Sequence, residues 1–464
     1  MTNPAPETIR RHQRQTLQLG LLHTAKTLFP EETLHIPYSI PNGLYCELGG
    51  SPISKREVAR IYETLKTWVY SDSPIDHLGQ DQGYSLYRIG GMTFRSVYPA
   101  LPSSSGISDF RLIPFQSGFV LYLPCESAPE NIFVPPANLS ATYAETRDWL
   151  KHLEINQLDS VNTYIDEGRF DELVTLAEAL HEKKVSAIAD AITHNRRAVQ
   201  VVLISGPSSS GKTTFTRRLA TQLRVNGLKP VSLSLDDFFV DRDKTPLDAY
   251  GHYDFDALSA IDLDLLNHNL DELIAGEEVE MPRYNFATGQ REPFGHYMRM
   301  DPDNVLIIEG IHALNPQLLK LHAAKYAIFK IYISALFLLN IDPTNRIATT
   351  ETRLLRRIVR DDLFRSLPVE RTLKQWPSVR RGEDENVFPY QEEADIMFNS
   401  SLLFELNILR PYAEPLLKTL THDSPFYEMA QHLLNLLSFF RPMPPNAVPN
   451  TSLLREFIGG SVYR

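Results

Sequence analysis

Cysteine is scarce in this chain. Cys46 and Cys125 are the only two in 464 residues, far apart and in no Cys-x-x-Cys pair. That excludes a disulfide framework and offers no zinc-site spacing. No uninterrupted apolar run approaches the roughly 18 residues of a membrane-spanning helix. Met1–Arg14 is too polar for a secretory leader. Positive charge is not in excess either. Against 57 Asp and Glu stand 46 Lys and Arg, and the net charge of −11 gives no global basic footprint for nucleic acid. Internal repeats are missing too. Together these absences predict a cytoplasmic, reducing-compartment protein, long enough for roughly two to four domains.

What the chain does contain is concentrated after residue 200. An apolar run, Val201-Val202-Leu203-Ile204, leads into Ser205-Gly206-Pro207-Ser208-Ser209-Ser210-Gly211-Lys212-Thr213-Thr214 and then into an amphipathic helical pattern. Strand, GxxxxGKT and helix in that order build a phosphate cradle. Small residues let backbone N–H groups turn inward, and the helix N-terminus adds its positive end. Gly206, Ser208, Ser209, Ser210, Gly211 and Thr214 are the expected wall. Lys212 would reach the β- and γ-phosphates, and the Thr213 hydroxyl would bind Mg²⁺.

The surrounding pattern alternates strands and helices. Val199–Ile204, Val231–Leu235, Val305–Ile308 and Phe329–Ile333 are nearly continuous apolar runs, as strands buried on both faces should be. They predict an α/β domain over 199–425, a parallel sheet covered by helices, with its ligands at the carboxyl ends of the strands. Residues 1–135 read as an α+β domain with helices near Leu17–Phe29 and Lys55–Trp68 and a strand at Phe119–Leu123. Pro124, Pro129, Pro135 and Pro136 mark its end. Over 136–198, Phe170, Leu173, Val174, Ala177, Leu180, Val185, Ile188, Ala189 and Ile192 recur at spacings of three and four, predicting a connecting helical pair. Residues 426–464 hold a helix near Tyr427–Phe440, a Pro-rich stretch and a tail.

Acids at strand ends narrow the chemistry. Asp236 and Asp237 follow Val231–Leu235, and Glu309 follows Val305–Ile308. In a parallel sheet both ends open toward the cradle, where carboxylates can hold Mg²⁺ and accept a proton from an attacking hydroxyl. Arg353, Arg356, Arg357 and Arg360 share one helical face, with Arg365 just beyond. In a phosphate-handling site such a cluster clamps charge spread over the transferring oxygens.

These segments together resemble the uridine kinase/phosphoribulokinase family of P-loop kinases. The matching pieces are Gly206–Thr214, Ser234-Leu235-Asp236-Asp237-Phe238-Phe239, Tyr253-Asp254-Phe255-Asp256, Tyr284-Asn285-Phe286, Ile308-Glu309-Gly310 and Arg356-Arg357-Ile358-Val359-Arg360-Asp361. The resemblance implies ATP as donor and Asp236 as general base, with Glu309 and Thr213 on Mg²⁺. It implies Asp256 on the ribose hydroxyls, Tyr284, Phe286 and Arg291 lining the acceptor pocket, and Arg357, Arg360 and Arg365 as lid residues touching phosphates. Uridine kinases carry a pyrimidine-reading histidine shortly after Tyr-x-Phe, where this chain has Gly289. They end the arginine helix in Arg-Gly-Arg, where this chain has Arg365-Ser366-Leu367. Both departures fall on acceptor recognition and spare the phosphoryl-transfer parts.

Near the N-terminus, Leu28-Phe29-Pro30, Ile40–Tyr45 and Pro102–Gly106 resemble the second N-terminal domain of threonyl-tRNA synthetases. That domain's metal-binding His and Cys are missing: no HxxxH occurs, and Ser96 and Ala100 stand at the later positions. The resemblance therefore implies a retained fold without editing hydrolysis. Together with the ending Leu454–Ser461, the whole chain looks like a bacterial class of fused nucleoside kinases. The expected activity is phosphorylation of a hydroxyl, the 5′-hydroxyl of a nucleoside such as uridine or cytidine. The rivals are a kinase of another hydroxylated metabolite and an RNA-binding, nucleotide-switched regulator, the latter motivated by Arg10, Arg11 and Arg14. A small-molecule acceptor is the expected partner, with nucleic acid and membrane disfavoured and oligomerisation left open.

Overall fold

The computed structural model describes residues 6–107, 109–124, 133–194, 199–248, 251, 253–286, 288–292, 295–301, 303–318, 326–337 and 339–463. Cys125 and Pro129 lie outside these.

The chain opens with α1 (Pro6–Leu28), β1 (Leu34–Ile40), β2 (Gly43–Leu48) and α2 (Lys55–Tyr70). Then come β3 (Asp76–Asp81), β4 (Tyr84–Ile89), β5 (Met92–Ser96), β6 (Arg111–Phe115) and β7 (Gly118–Tyr122). Helix α2 starts where predicted because Ser54 and Glu57 form a reciprocal capping box. Helix α1 begins well before the expected Leu17. The strands form an antiparallel sheet of order β1-β2-β7-β6 and a separate antiparallel β3-β4-β5. Leu17, Leu21, Ile61, Leu65, Phe119 and Leu121 pack into their shared core. The basic stretch is built into this fold: Arg10 donates to the carbonyls of Leu123 and Pro124 at 3.4 and 3.3 Å. Burial, with Arg346 nearby, pushes Arg14 down to about 10.

Three helices follow where the periodicity predicts a pair: α3 (Ala137–His152), α4 (Leu158–Asp166) and α5 (Phe170–Thr193). Leu158, Val161, Phe170, Leu173, Val185 and Ile188 share one apolar core with the central sheet. Helices α4 and α5 form part of the layer on one sheet face, whereas α3 lies between the N-terminal strands and the parallel sheet, with Tyr143 stacked on Tyr38 at 4.2 Å and Asn138 Nδ2 donating to Ala394 O at 2.8 Å.

That sheet is built from β8 (Val201–Ser205), α6 (Lys212–Val225), β9 (Lys229–Ser234) and α7 (Leu263–Ile274). Four short strands come next: β10 (Val279–Met281), β11 (Tyr284–Asn285), β12 (Gln290–Arg291) and β13 (His296–Met298). Strands β14 (Asn304–Glu309) and β15 (Ile328–Ser334), helices α8 (Thr349–Arg365) and α9 (Val369–Asn386), and β16 (Ile396–Asn399) complete it. Helices α10 (Glu405–Leu417), α11 (Tyr427–Ser438) and α12 (Arg455–Ile458) close the chain. The five parallel strands run in the order β16-β15-β8-β14-β9. Both faces are covered, which is why β8 and β14 read as unbroken apolar runs. Val202, Ile204, Ile307 and Ile331 face the core shared with α5, α6 and α8, whereas Val201, Leu203, Leu306 and Ile308 face the core shared with α7.

The N-terminal domain docks on the segment between β15 and α8. Ile36 N–H donates to Pro343 O at 2.8 Å, Gln18 Nε2 to Thr344 O at 2.8 Å and Val97 N–H to Asn345 Oδ1 at 3.0 Å. At the start of α8, the Tyr98 hydroxyl donates to Glu351 at 2.7 Å, and His432 Nε2 lies 2.6 Å from the same carboxylate. No helix among the described residues is long and apolar enough to cross a membrane.

Candidate active site

Register puts the predicted strand ends side by side. Glu309 at the end of β14 pairs with Ile204 of β8 on one side and with Ser234 of β9 on the other. The loop after β8 is the phosphate cradle, and the turn after β9 carries Asp236. Strand β9 stops at Ser234, one residue short of the expectation. Leu235–Phe238 forms a 3₁₀ turn whose Asp236 N–H donates to Ser234 Oγ at 3.3 Å. Three chain segments distant in sequence thus converge at one edge of the sheet.

The cradle has the shape its residues predict. Gly206 approaches β15 so closely that a Cβ there would lie 2.1 Å from Ile333 O. Gly211, at φ +90°, takes the left-handed conformation that starts α6, with no capping side chain. The buried hydroxyls of Ser209 and Ser210 have no hydrogen-bond partner among the described residues. Lys212 folds its ammonium back onto Gly206 O at 2.8 Å and Pro207 O at 3.1 Å. Burial lowers its pKa, opposed by the nearby carboxylates of Glu309 and Asp236. Orphan hydroxyls and a buried ammonium at a helix N-terminus fit a polyphosphate.

The carboxylates lie within electrostatic reach of that ammonium. Thr213 Oγ1 and Ser234 Oγ both donate to Glu309 Oε1 at 3.4 Å. Burial, with Asp236 beside it, pushes Glu309 up to about 7. Asp236 is also raised by burial, against the pull of Lys212, Arg365 and Arg360. The Thr213, Asp236 and Glu309 oxygens form a hard, oxygen-only donor set that fits Mg²⁺ completed by substrate phosphate and water.

Helix α8 separates the predicted arginines into two groups. Arg353 and Arg356 are fully buried under the cradle. Arg353 pairs with Glu383 at 2.5 and 2.8 Å and donates to Ser208 O at 3.0 Å. Arg356 pairs with Glu405 at 2.6 Å and reaches Ser209 O and Ser210 O at 3.3 and 3.4 Å. Both hold the loop from below. Arg357 donates to Ser208 Oγ at 2.9 Å, and Arg357, Arg360 and Arg365 all surround the buried Asp361 at 3.2–3.4 Å.

Beside the Asp236 turn, Phe239, Tyr284 and Phe286 form an aromatic cluster with ring centroids 5.1–5.9 Å apart. Phe286 is 59% exposed, whereas the Tyr284 hydroxyl is buried with no partner among the described residues. Asp256 lies under α9. Gly382 comes so near that a Cβ there would be 2.3 Å from Asp256 Cβ. Burial, with Glu383 nearby, pushes Asp256 up to about 7. Arg291 stands apart from the others. Its guanidinium donates to Phe239 O, Phe238 O and Asp262 Oδ2 at 3.0–3.3 Å, so it braces the Asp236 turn. At Gly289 a Cβ would lie 2.5 Å from the Arg242 guanidinium carbon, so Arg242 fills the space a side chain there would take.

Four residues near this site were not singled out from sequence for it. Glu383 accepts from Ser208 N–H at 2.9 Å, and Glu456 accepts from Thr214 N–H at 3.2 Å. His312, buried beside Asp256, is pushed down to about 4 by its burial. Arg242 is the fourth. Only His312, three residues after Glu309, carried any local signal.

Comparison with known proteins agrees with this geometry. Residues 201–403 match the Phosphoribulokinase / Uridine kinase family. A uridine kinase of Staphylococcus aureus is 30% identical over 202 residues, covering 43% of this chain and 87% of the relative. The chain belongs to the phosphoribulokinase/uridine kinase family. Its 201–403 domain is a kinase domain. A uridine kinase of Chloroflexus aggregans is 28% identical over 199 residues, covering 43% of this chain and 85% of the relative. A solved structure described as a possible uridine kinase from Bacillus stearothermophilus aligns with 47% of this chain and 98% of its own, at 18% identity and a TM-score of 0.33.

Proposed function

We propose that this kinase uses ATP and Mg²⁺ to phosphorylate the 5′-hydroxyl of a ribonucleoside such as uridine or cytidine. The observation that carries the reading is the register of β14, which sets Glu309 between the strand leading into the cradle and the strand leading into Asp236. A phosphoryl donor in the cradle and an acceptor hydroxyl at Asp236 would then face each other across that edge. Mg²⁺ held by Thr213, Asp236 and Glu309 would supply neutralisation of phosphate charge. Asp236 orients the acceptor hydroxyl and takes its proton. Lys212, released from the loop carbonyls, turns to the phosphates. Arg357, Arg360 and Arg365, spread around Asp361, stabilise charge on the transferring oxygens.

The nucleoside reading draws on Asp256, the aromatic cluster and the buried Tyr284 hydroxyl. A carboxylate suits ribose hydroxyls, and flat rings suit a planar base. We read the N-terminal region as a threonyl-tRNA-synthetase-like fold without its hydrolytic set. Ser96, in place of a cysteine, bonds to its own loop at Tyr98 O, 2.6 Å away. Incubation with γ-labelled ATP, Mg²⁺ and a panel of ribonucleosides, sugar phosphates and hydroxy acids tests the proposal. Label in a nucleoside 5′-monophosphate is expected. Label only in another acceptor, or in none, overturns it.

A further inference from the structure

We infer that the C-terminal segment Ser452–Ile458 places a fixed negative charge in the nucleotide site through Glu456, and that this charge limits how tightly polyphosphate is held. The inference rests on the nucleotide-site reading above. Helix α6 has glycine at its N-cap, so its first amides lack a capping side chain of their own. One of them, Thr214 N–H, is capped from the far end of the chain by Glu456 Oε2 at 3.2 Å. The Glu456 carboxylate lies within electrostatic reach of Lys212, Glu309 and Arg360, all groups of the same site.

This contact is rigidly framed. Leu453, Leu454 and Phe457 are fully buried. Leu453 packs on Gly211, where a Cβ would come within 2.5 Å of it. The Phe457 ring lies 5.0 Å from the Arg356 guanidinium that supports Ser209 and Ser210 from below. Arg455 ties the segment to Val448 O and Pro445 O at 2.6 and 2.9 Å. Glu456 therefore meets the cradle from a fixed frame.

Loop carbonyls meet the Lys212 ammonium, and a carboxylate meets the helix end at Thr214 N–H. A carboxylate at a helix N-terminus is stabilised by the helix dipole. An arriving phosphate competes for that same positive end, and the two negative charges repel. The cost grows with phosphate charge and disappears for a ligand without phosphate.

Glu456→Gln keeps an oxygen to accept from Thr214 N–H and removes the charge. Calorimetric titration of full-length wild type and variant with ATP, ADP and adenosine reads the effect. ATP and ADP are expected to bind about tenfold more tightly to the variant, with adenosine unchanged. Equal or weaker ATP affinity in a folded variant overturns the inference. Should Glu456→Gln fail to fold, Glu456→Asp withdraws the charge by one methylene and is expected to tighten ATP by a smaller factor; unchanged affinity there overturns it equally. If neither ATP nor ADP binds wild type or variant, the nucleotide-site reading itself falls.

Discussion

Glu309→Gln is expected to stabilise the protein while disabling it. Burial and the Asp236 carboxylate push Glu309 from its ordinary 4.5 to about 7. Holding it ionised at pH 8 therefore costs the folded state on the order of 3 kcal/mol, at roughly 1.4 kcal/mol per pH unit between those values. Below pH 4.5 the carboxyl is protonated in folded and unfolded chains alike, and the cost vanishes. It grows as pH rises from 4.5 and is complete above about 7. Glutamine is neutral throughout and nearly isosteric, so the variant should have a higher denaturation midpoint at pH 8 and an unchanged one at pH 4.5. Mg²⁺ should raise the wild-type midpoint at pH 8 and leave the variant's nearly unmoved, because binding to the native state stabilises it by mass action. Denaturant titration at both pH values, with and without Mg²⁺, reads all four quantities. A variant less stable than wild type at pH 8 would refute the reasoning, since Glu309 would then be a structural anchor instead of a strained cation ligand.

Two further predictions concern Glu383 and Tyr284. Glu383→Ala leaves the fully buried Arg353 without its counter-ion, which should destabilise the protein by about 3–5 kcal/mol in denaturant titration. It also takes the acceptor from Ser208 N–H, so the KM for ATP should rise; a wild-type midpoint would contradict this. Tyr284→Phe removes a buried hydroxyl that has no partner among the described residues, and is expected to raise the acceptor KM about tenfold, leave the KM for ATP unchanged and slightly stabilise the free protein. Equal changes in both KM values would show that Tyr284 shapes the whole site.

Local pattern and long-range pairing differ in how far they can be read from sequence. Strands β8, β14 and β15 were legible because burial on both faces leaves an apolar run, and the cradle because its glycines and its Lys-Thr pair are contiguous. Strand β16 was not: four residues, Ile396-Met397-Phe398-Asn399, carry too little pattern to separate from a loop. Helical spacing put four arginines on one face of α8, yet it could not say that Arg353 and Arg356 lie under the loop. Their partners, Glu383 and Glu405, are 30 and 49 residues away. Arg291 was expected in the acceptor pocket, but its donors go to backbone carbonyls of the Asp236 turn, a pairing only the fold creates. Glu456 reaches Thr214 across 242 residues, and no local signal marks such a contact.

In the proposed reading the cradle and Asp236 belong to one phosphoryl-transfer site. Asp236→Asn tests it most directly, with ATP affinity measured by calorimetry and label transfer from γ-labelled ATP measured on the same protein. ATP binding close to wild type is expected, with transfer reduced by about 10²–10⁴-fold. Transfer at the wild-type rate would contradict it.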